Sequence, residues 1–284
     1  MVGALRAMEA NMREFQGKGA FITGGASGVG FALARAFGRA KMRVMLADIE
    51  LDALKAALAE LKGQGIDAFA VECDVADRVS VQRAAKETFA ALDKVHLICS
   101  NAGISAGGAL ELITPGDWEW VIGVNLMGFV HVIQAFLPRL KEQGEGGHVV
   151  TTSSVAGFAC PPGAGPYNAT KFANVAVAET LAAELARSPI AVSIIGLDNV
   201  QTRIAEGARN RAERYGAATE TSPEATEQLA AFVRMGQPPD EVAEKVMRGI
   251  MENELFIFTH PELRNWVEDR FQKILTAYPA PPVS

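Results

Sequence analysis

The chain has 284 residues, 49% of them hydrophobic and 21% charged, the balance of a globular protein with a substantial core. A formal net charge of −6 excludes a global basic field of the kind that holds nucleic acid or an anionic membrane. Three scattered cysteines, Cys73, Cys99 and Cys160, match no disulfide or zinc spacing and fit a reducing cytoplasm, while the four histidines are too dispersed to suggest a metal site.

The opening MVGALRAMEANMREFQ lacks the apolar run of a signal peptide, so residues 1–15 are expected to form a loose extension, with Met12 as an alternative start. No segment reaches the roughly 18 uninterrupted apolar residues of a membrane span. From residue 18 onward, short β-rich runs alternate with amphipathic helical stretches. Residues 20–23 lead through glycines into a helix ending near Arg39, and RVMLAD (43–48) is a second strand. Leu51, Leu54, Leu58 and Leu61 follow at helical spacing, with Gly63 as the expected cap. AFAVECD (68–74) and VHLIC (95–99) are the third and fourth strands, separated by a helix opening near Asp77. Thr114-Pro115 reads as an N-cap followed by a proline at the first helical position, starting a long helix that runs to Gln143. HVVTT (148–152), a helix over 167–187 and AVSIIGL (191–197) complete six strand–helix steps. LFIFT (255–259) is a last strand and 262–275 a last helix. Such alternation implies parallel pairing through right-handed crossovers, hence an α/β fold with a Rossmann-type doubly wound parallel sheet. No linker divides the chain, so residues 16–284 are expected to form a single domain. Residues 203–237 interrupt the rhythm, charged and alanine-rich, and are expected to form a lid.

Directly after the first strand stands TGGASGVG, with glycines at 24, 28 and 30. Such a turn lets the backbone approach a pyrophosphate at a helix N-terminus, although glycines alone also fit a tight strand–helix connection without a ligand. Eighteen residues past Gly30, Asp48 ends the second strand, where dinucleotide folds place an acid on the adenosine ribose. A carboxylate there repels a 2′-phosphate and no basic residue follows in Ile49-Glu50-Leu51, which favours NAD over NADP. Asp74, Asn101 and Ser154 also fall at or just past strand ends, where ligands bind in such sheets. Tyr167 and Lys171 are four apart and share a helix face. A neighbouring ammonium lowers the phenol from its ordinary value of about 10, making a general acid/base.

Together these pieces resemble the short-chain dehydrogenase/reductase family over residues 18–260. The glycine pattern is Thr23 to Gly30, and the resemblance implies that Gly24, Ser27, Gly28, Val29 and Gly30 meet the cofactor. Asp48 and Ile49 would follow at the ribose, and Asp74-Val75 near the adenine. Asn101-Ala102-Gly103 matches the family's Asn-Ala-Gly. Asn125 in the long helix, Ser154, Tyr167 and Lys171 match its catalytic set. By resemblance, Tyr167 exchanges the substrate proton and Ser154 holds the substrate oxygen. Lys171 would bind the nicotinamide ribose, and Asn125 would hold a water linking Lys171 to solvent. After the sixth strand, Leu197-Asp198 replaces the family's Pro-Gly, while Val200 and Thr202 are kept as nicotinamide contacts. The resemblance implies an NAD-dependent oxidoreductase interconverting a secondary alcohol and its ketone, with a small-molecule substrate and a homodimeric or homotetrameric assembly. Ala230, Phe232, Val233 and Met235 of the lid, facing Phe158 and Cys160, suggest a hydrophobic or aromatic alcohol. The tail Phe256 to Glu262 is similar to aryl-alcohol members, such as bacterial dehydrogenases of lignin-derived β-aryl ethers. A non-catalytic NAD-binding sensor or scaffold, and a lyase or isomerase on the same fold, are the alternatives.

Overall fold

The structure, a computed structural model, describes residues 12–279. Seven strands alternate with helices in the expected rhythm. They are β1 (Gly19–Thr23), β2 (Arg43–Asp48), β3 (Ala68–Glu72), β4 (Leu97–Ser100), β5 (Gly147–Thr152), β6 (Ile190–Gly196) and β7 (Phe256–Phe258). The helices are α1 (Gly28–Arg39), α2 (Leu51–Gly63), α3 (Arg78–Leu92), α4 (Pro115–Val121), α5 (Gly128–Gln143), α6 (Gly165–Glu184), α7 (Pro223–Arg234), α8 (Pro239–Glu252) and α9 (Arg264–Thr276). All strand pairs are parallel, in the order β3-β2-β1-β4-β5-β6-β7. The order reverses between β1 and β4, and loops leaving the carboxyl ends of these two strands diverge there to open a crevice.

Because side chains alternate along a strand, each strand feeds two cores. Ala20 and Ile22 of β1 pack with α1, α2 and α8 on one face; Phe21 packs with α3, α5 and α6 on the other. The Phe21 and Phe136 rings pack at 4.2 Å between centroids, tilted by 30°, which fixes α5 on the sheet centre. The run Pro115–Gln143 is long and apolar enough to cross a membrane by length and composition. In the fold it is a core helix instead, with Phe129, Val132, Phe136 and Leu140 buried against the sheet.

Three expectations need correction. The packed chain begins before residue 16: Met12 and Phe15 are buried, and the Phe15 ring lies 5.8 Å from Phe37; residues 1–11 lie outside the described residues. The left-handed residue closing α2 is Gly65 (φ +74°), not Gly63. The long helix is not uniform, since Ile122–Met127 forms a π-helical turn between α4 and α5. A π-turn admits an extra residue per turn and is a frequent mark of a functional site. Asn125 is the buried residue within it.

Candidate active site

A cavity of about 630 Å³ runs along the carboxyl edge of the sheet. Its lining includes Gly24, Ser27, Gly28, Val29, Asp48, Ile49, Asp74, Val75, Asn101, Ala102, Gly103, Ser154, Tyr167, Lys171, Val200 and Thr202. Gly30 and Asn125 are the two sequence-derived candidates that stand behind the wall rather than in it.

At one end, the turn from β1 into α1 passes through left-handed Gly28 (φ +55°), whose missing Cβ would stand 3.0 Å from Thr202 Cγ2. Gly30 has a different reason: a Cβ there would lie 2.1 Å from the Gly24 carbonyl. No acidic side chain occupies the first turn of α1, so its N-terminal dipole faces the cleft unopposed. Beside this turn, Asp48 Oδ2 accepts from Ala26 N (3.0 Å) and Oδ1 from Glu50 N (3.1 Å), which orients the carboxylate. Burial pushes its pKa up, and these two amides oppose the rise.

Main-chain ties connect this end to the other. Thr23 Oγ1 accepts from Asn101 N (2.9 Å) and Ala102 N (3.0 Å), and Asn101 Nδ2 donates to Thr23 O at 3.1 Å. Thr152 Oγ1 donates to Asn101 Oδ1 at 3.1 Å, and Lys171 Nζ donates to Thr152 O at 2.8 Å. One chain of hydrogen bonds therefore runs from the glycine turn to the lysine. Asn125 clamps the same loop from the side: Oδ1 accepts from Ile104 N (2.9 Å), and Nδ2 donates to Ile104 O (2.9 Å) and Thr170 Oγ1 (3.1 Å). A Cβ on Gly103 would lie 3.5 Å from Asn125 Oδ1 and 3.6 Å from Lys171 Nζ, so both groups converge on that glycine.

The Gly165-Pro166 opening of α6 sets Tyr167 in the helix's first turn, with Lys171 one turn further on. Lys171 Nζ lies 5.3 Å from the Tyr167 ring centroid. Ser154 caps the short 3₁₀ turn Val155–Gly157, its Oγ accepting from Ala156 N at 3.2 Å. The electrostatics differ from the sequence expectation. Burial pushes the Tyr167 phenol up to about 12; the Ser154 hydroxyl opposes this and the Asp198 charge adds to it. Burial also pushes Lys171 down to about 8. Desolvation sets the direction for the phenol, while the Lys171 ammonium is directed at Thr152 O and is itself costly to keep charged.

Several groups that the sequence did not single out build the rest of the site. Glu50 accepts from Arg209 Nη2 (2.5 Å) and Asn210 Nδ2 (2.9 Å), with Arg203 Nη1 at 3.5 Å. The Arg209 bonds hold Glu50 below the usual carboxylate range. Arg214 Nη2 reaches Asp74 Oδ2 at 3.3 Å. The segment after β6 thus spans the cleft and pins the ends of β2 and β3. Its far end is anchored by Asp117, a buried carboxylate paired with Arg211 and accepting from Thr219 N at 2.8 Å. Burial opposes ionisation of Asp117, but the Thr219, Thr114 and Arg211 donors hold it below the usual range. No spacing signals such pairs, whose partners are separated by 94 to 160 residues.

The apolar wall opposite Tyr167 also departs from expectation. Phe232 and Val233 line the cleft, joined by Leu229, Leu263 and Trp266. Ala230 and Met235 do not, and Met235 is exposed. Phe158 packs instead on Phe258 (5.0 Å between centroids), and Cys160 is exposed outside the cavity. Trp120 is buried at the cavity wall, its ring 6.4 Å from that of Tyr215.

The family described as short chain dehydrogenase matches residues 18–213. The chain belongs to this family. Among short-chain dehydrogenases, it is 38% identical over 266 residues to a C alpha-dehydrogenase of a Sphingobium species, covering 93% of this chain and 87% of that protein. It is 32% identical over 257 residues to a 1-deoxy-11-beta-hydroxypentalenate dehydrogenase of Streptomyces avermitilis, covering 90% and 89%. A crystal structure of a short-chain dehydrogenase/reductase from Burkholderia phymatum in complex with NAD superposes with a TM-score of 0.91 at 37% identity, covering 96% of this chain and 100% of that one.

Proposed function

We propose that this chain is an NAD-dependent oxidoreductase that interconverts a hydrophobic or aromatic secondary alcohol and its ketone. One observation carries the reading: a single cavity joins Asp48 and the α1 N-terminus at one end to Ser154, Tyr167 and Lys171 beside an apolar wall at the other. Its residues fit a dinucleotide. Asp48 uses one lone pair on each oxygen for main-chain amides and keeps acceptor capacity for a ribose diol. Arg203 and Arg209, which line the cavity, are engaged by Glu50, which disfavours a 2′-phosphate. The NAD in the Burkholderia structure and the dehydrogenase name of the Sphingobium relative point the same way.

Asp48 would hold the adenosine ribose, with Asp74 and Val75 beside the adenine. The amides of Ser27 to Gly30 would face the pyrophosphate, while Val200 and Thr202 would meet the nicotinamide. Bound NAD supplies the hydride acceptor or, reduced, the donor. Tyr167 takes the proton from the carbinol oxygen in oxidation and returns it in reduction. Ser154 donates to the same oxygen and steadies the charge that develops there. Lys171, whose ammonium donates to the Thr152 carbonyl, would also hold the cofactor ribose. Asn125 keeps the 101–104 loop in place beside it and is assigned to the water leading from Lys171 to solvent.

A panel of aryl and alicyclic secondary alcohols, assayed with NAD and with NADP by nicotinamide absorbance, tests the reading. Turnover with NAD, abolished in Tyr167→Phe while NAD still binds, is the expected result. Turnover that survives in Tyr167→Phe removes the proton-transfer assignment, and a preference for NADP removes that of Asp48. The assembly proposed is a two-fold homo-oligomer through the α4–α5 and α6 faces, where Ile122 and Met127 are exposed in the single chain. Sedimentation showing only monomer at micromolar concentration would count against it.

A further inference from the structure

The turn after β6 carries an acid where the family resemblance has glycine, and its backbone is unusually well braced. Asp198 N donates to His260 Nδ1 at 3.2 Å, and His260 Nε2 meets Asn199 O at 3.0 Å. Thr259 Oγ1 also meets His260 Nδ1, at 2.8 Å. The imidazole therefore bridges consecutive residues of the turn, as an acceptor at Nδ1 and a donor at Nε2. From the other side, Asn199 Nδ2 donates to Phe232 O (2.6 Å), and Gln237 N donates to Asn199 O (2.9 Å). Four neighbouring residues thus do by hydrogen bonding what proline does by restricting φ.

The Asp198 carboxylate has no such company. Among the described residues no side chain donates to it; burial pushes its pKa up, His260 and the Asn199 amide oppose the rise, and Glu262 adds to it. It is half-buried and lines the same cavity as Ser154, Tyr167, Leu229, Phe232, Leu263 and Trp266. Val155 N, next to Ser154, donates to Leu197 O at 2.5 Å, which sets Asp198 beside the Ser154 end of the cavity, and its charge opposes ionisation of the Tyr167 phenol. A carboxyl on a braced backbone at an apolar wall is an acceptor awaiting a donor, since leaving such a group unpaired and withdrawn from water is costly.

We propose that Asp198 is a specificity-determining residue, and that the substrates of this site are secondary alcohols bearing a second hydrogen-bond donor, a hydroxyl or an ammonium group, near the reacting carbinol. This rests on the oxidoreductase reading above. A substrate carboxylate at the same position is repelled, and a plain aryl carbinol leaves the acid unpaired.

The test compares four probes that share one reacting centre: 1-phenylethanol, 1-phenylethane-1,2-diol, 2-amino-1-phenylethanol and mandelate. Each is assayed with NAD as kcat/KM on wild type, Asp198→Asn and Asp198→Gly, with the ketone product identified. Wild type is expected to favour the diol and the amino alcohol over 1-phenylethanol by roughly ten-fold, the lower end for hydrogen bonds to a charged group, because Asp198 is only partly buried. Mandelate is expected to be the poorest. Both variants are expected to bring the diol-to-monool ratio to within about two-fold and to improve mandelate relative to the others. Ratios cancel any uniform loss of activity or of NAD affinity. A ratio unchanged by both substitutions overturns the assignment while the oxidoreductase reading stands, and it would mean that Asp198 acts on the cofactor alone. Absence of turnover on all four probes, and on the wider alcohol panel, overturns both.

Discussion

Replacing Asn125 with alanine isolates the clamp that the π-turn builds. The side chain makes three hydrogen bonds, two of them to the main-chain N–H and C=O of Ile104 and the third to Thr170 Oγ1. Ile104 is buried, so its two backbone groups lose their partners without full access to water. Leaving a buried polar group unsatisfied costs about 1–3 kcal/mol, so the pair amounts to roughly 2–6 kcal/mol. Alanine recovers about 0.5 kcal/mol through its better helix propensity. The expected net loss is therefore about 2–5 kcal/mol, large beside the usual stability of a domain. Urea unfolding at fixed protein concentration measures it, and amide exchange at Gly103 and Ile104 locates it. Exchange there should accelerate far more than in the β1–β4 core. A loss below about 1 kcal/mol with unchanged exchange at Ile104 would refute the clamp, and the π-turn would need another explanation.

Asp48→Asn should weaken NAD binding while improving NADP, changing their affinity ratio by roughly ten-fold or more; titration of both cofactors reads it, and an unchanged ratio removes Asp48 from the ribose. Lys171 gives a pH signature of defined sign. Its folded-state value of about 8 lies below the ordinary 10.5, so between these pH values the unfolded chain holds a proton that the folded chain has released. Unfolding free energy should then rise with pH across that window, by about 3 kcal/mol in total, and the rise should be absent in Lys171→Met. Parallel pH–stability curves for wild type and Lys171→Met would show that the ammonium is not buried. The Asp117–Arg211 pair anchors the segment that crosses the cleft. Asp117→Ala, which leaves Arg211 and Thr219 unpaired, should destabilise by about 3–5 kcal/mol and expose the 211–219 segment to limited proteolysis. Protease resistance equal to wild type would place the anchor elsewhere.

The sheet was legible because its signals are local and repetitive. A parallel strand such as RVMLAD is apolar on both faces, and glycines or capping residues punctuate each helix, so element type and order follow from short windows. The Tyr167–Lys171 pair was legible for the same reason: four residues of helix set the geometry whatever surrounds it. The π-turn at Ile122–Met127 was not, because an extra residue in one turn of an apolar helix leaves hydrophobic periodicity almost unchanged. Apolar composition marked the lid but could not say which side chains face inward. Phe232 lines the cavity, whereas Met235, three residues on, is exposed. The boundary at residue 16 failed on two apolar side chains, Met12 and Phe15, in an otherwise polar stretch that carried no periodic signal.

Electrostatics is the part that spacing cannot carry. The lysine at i+4 suggested a phenol shifted down, a pairwise argument from one charge. In the fold, Tyr167 also loses its water and faces Asp198, which arrives from a turn 31 positions along the chain. Burial acts on both members of the pair, raising the acid and lowering the base, and so brings Lys171 towards neutrality before it can stabilise a phenolate. The protein thus brings Tyr167 and Lys171 together without by itself supplying the field that would make Tyr167 a base near pH 7. That division has a consequence for Asp198. A substrate donor that pairs with its carboxylate also screens the charge that raises Tyr167, so recognition of the second hydroxyl and activation of the phenol become the same event. Oxidation of the diol should then begin at lower pH than oxidation of 1-phenylethanol in wild type, and the two pH profiles should coincide in Asp198→Asn. A wild-type enzyme whose two profiles already coincide would show that Asp198 binds without tuning.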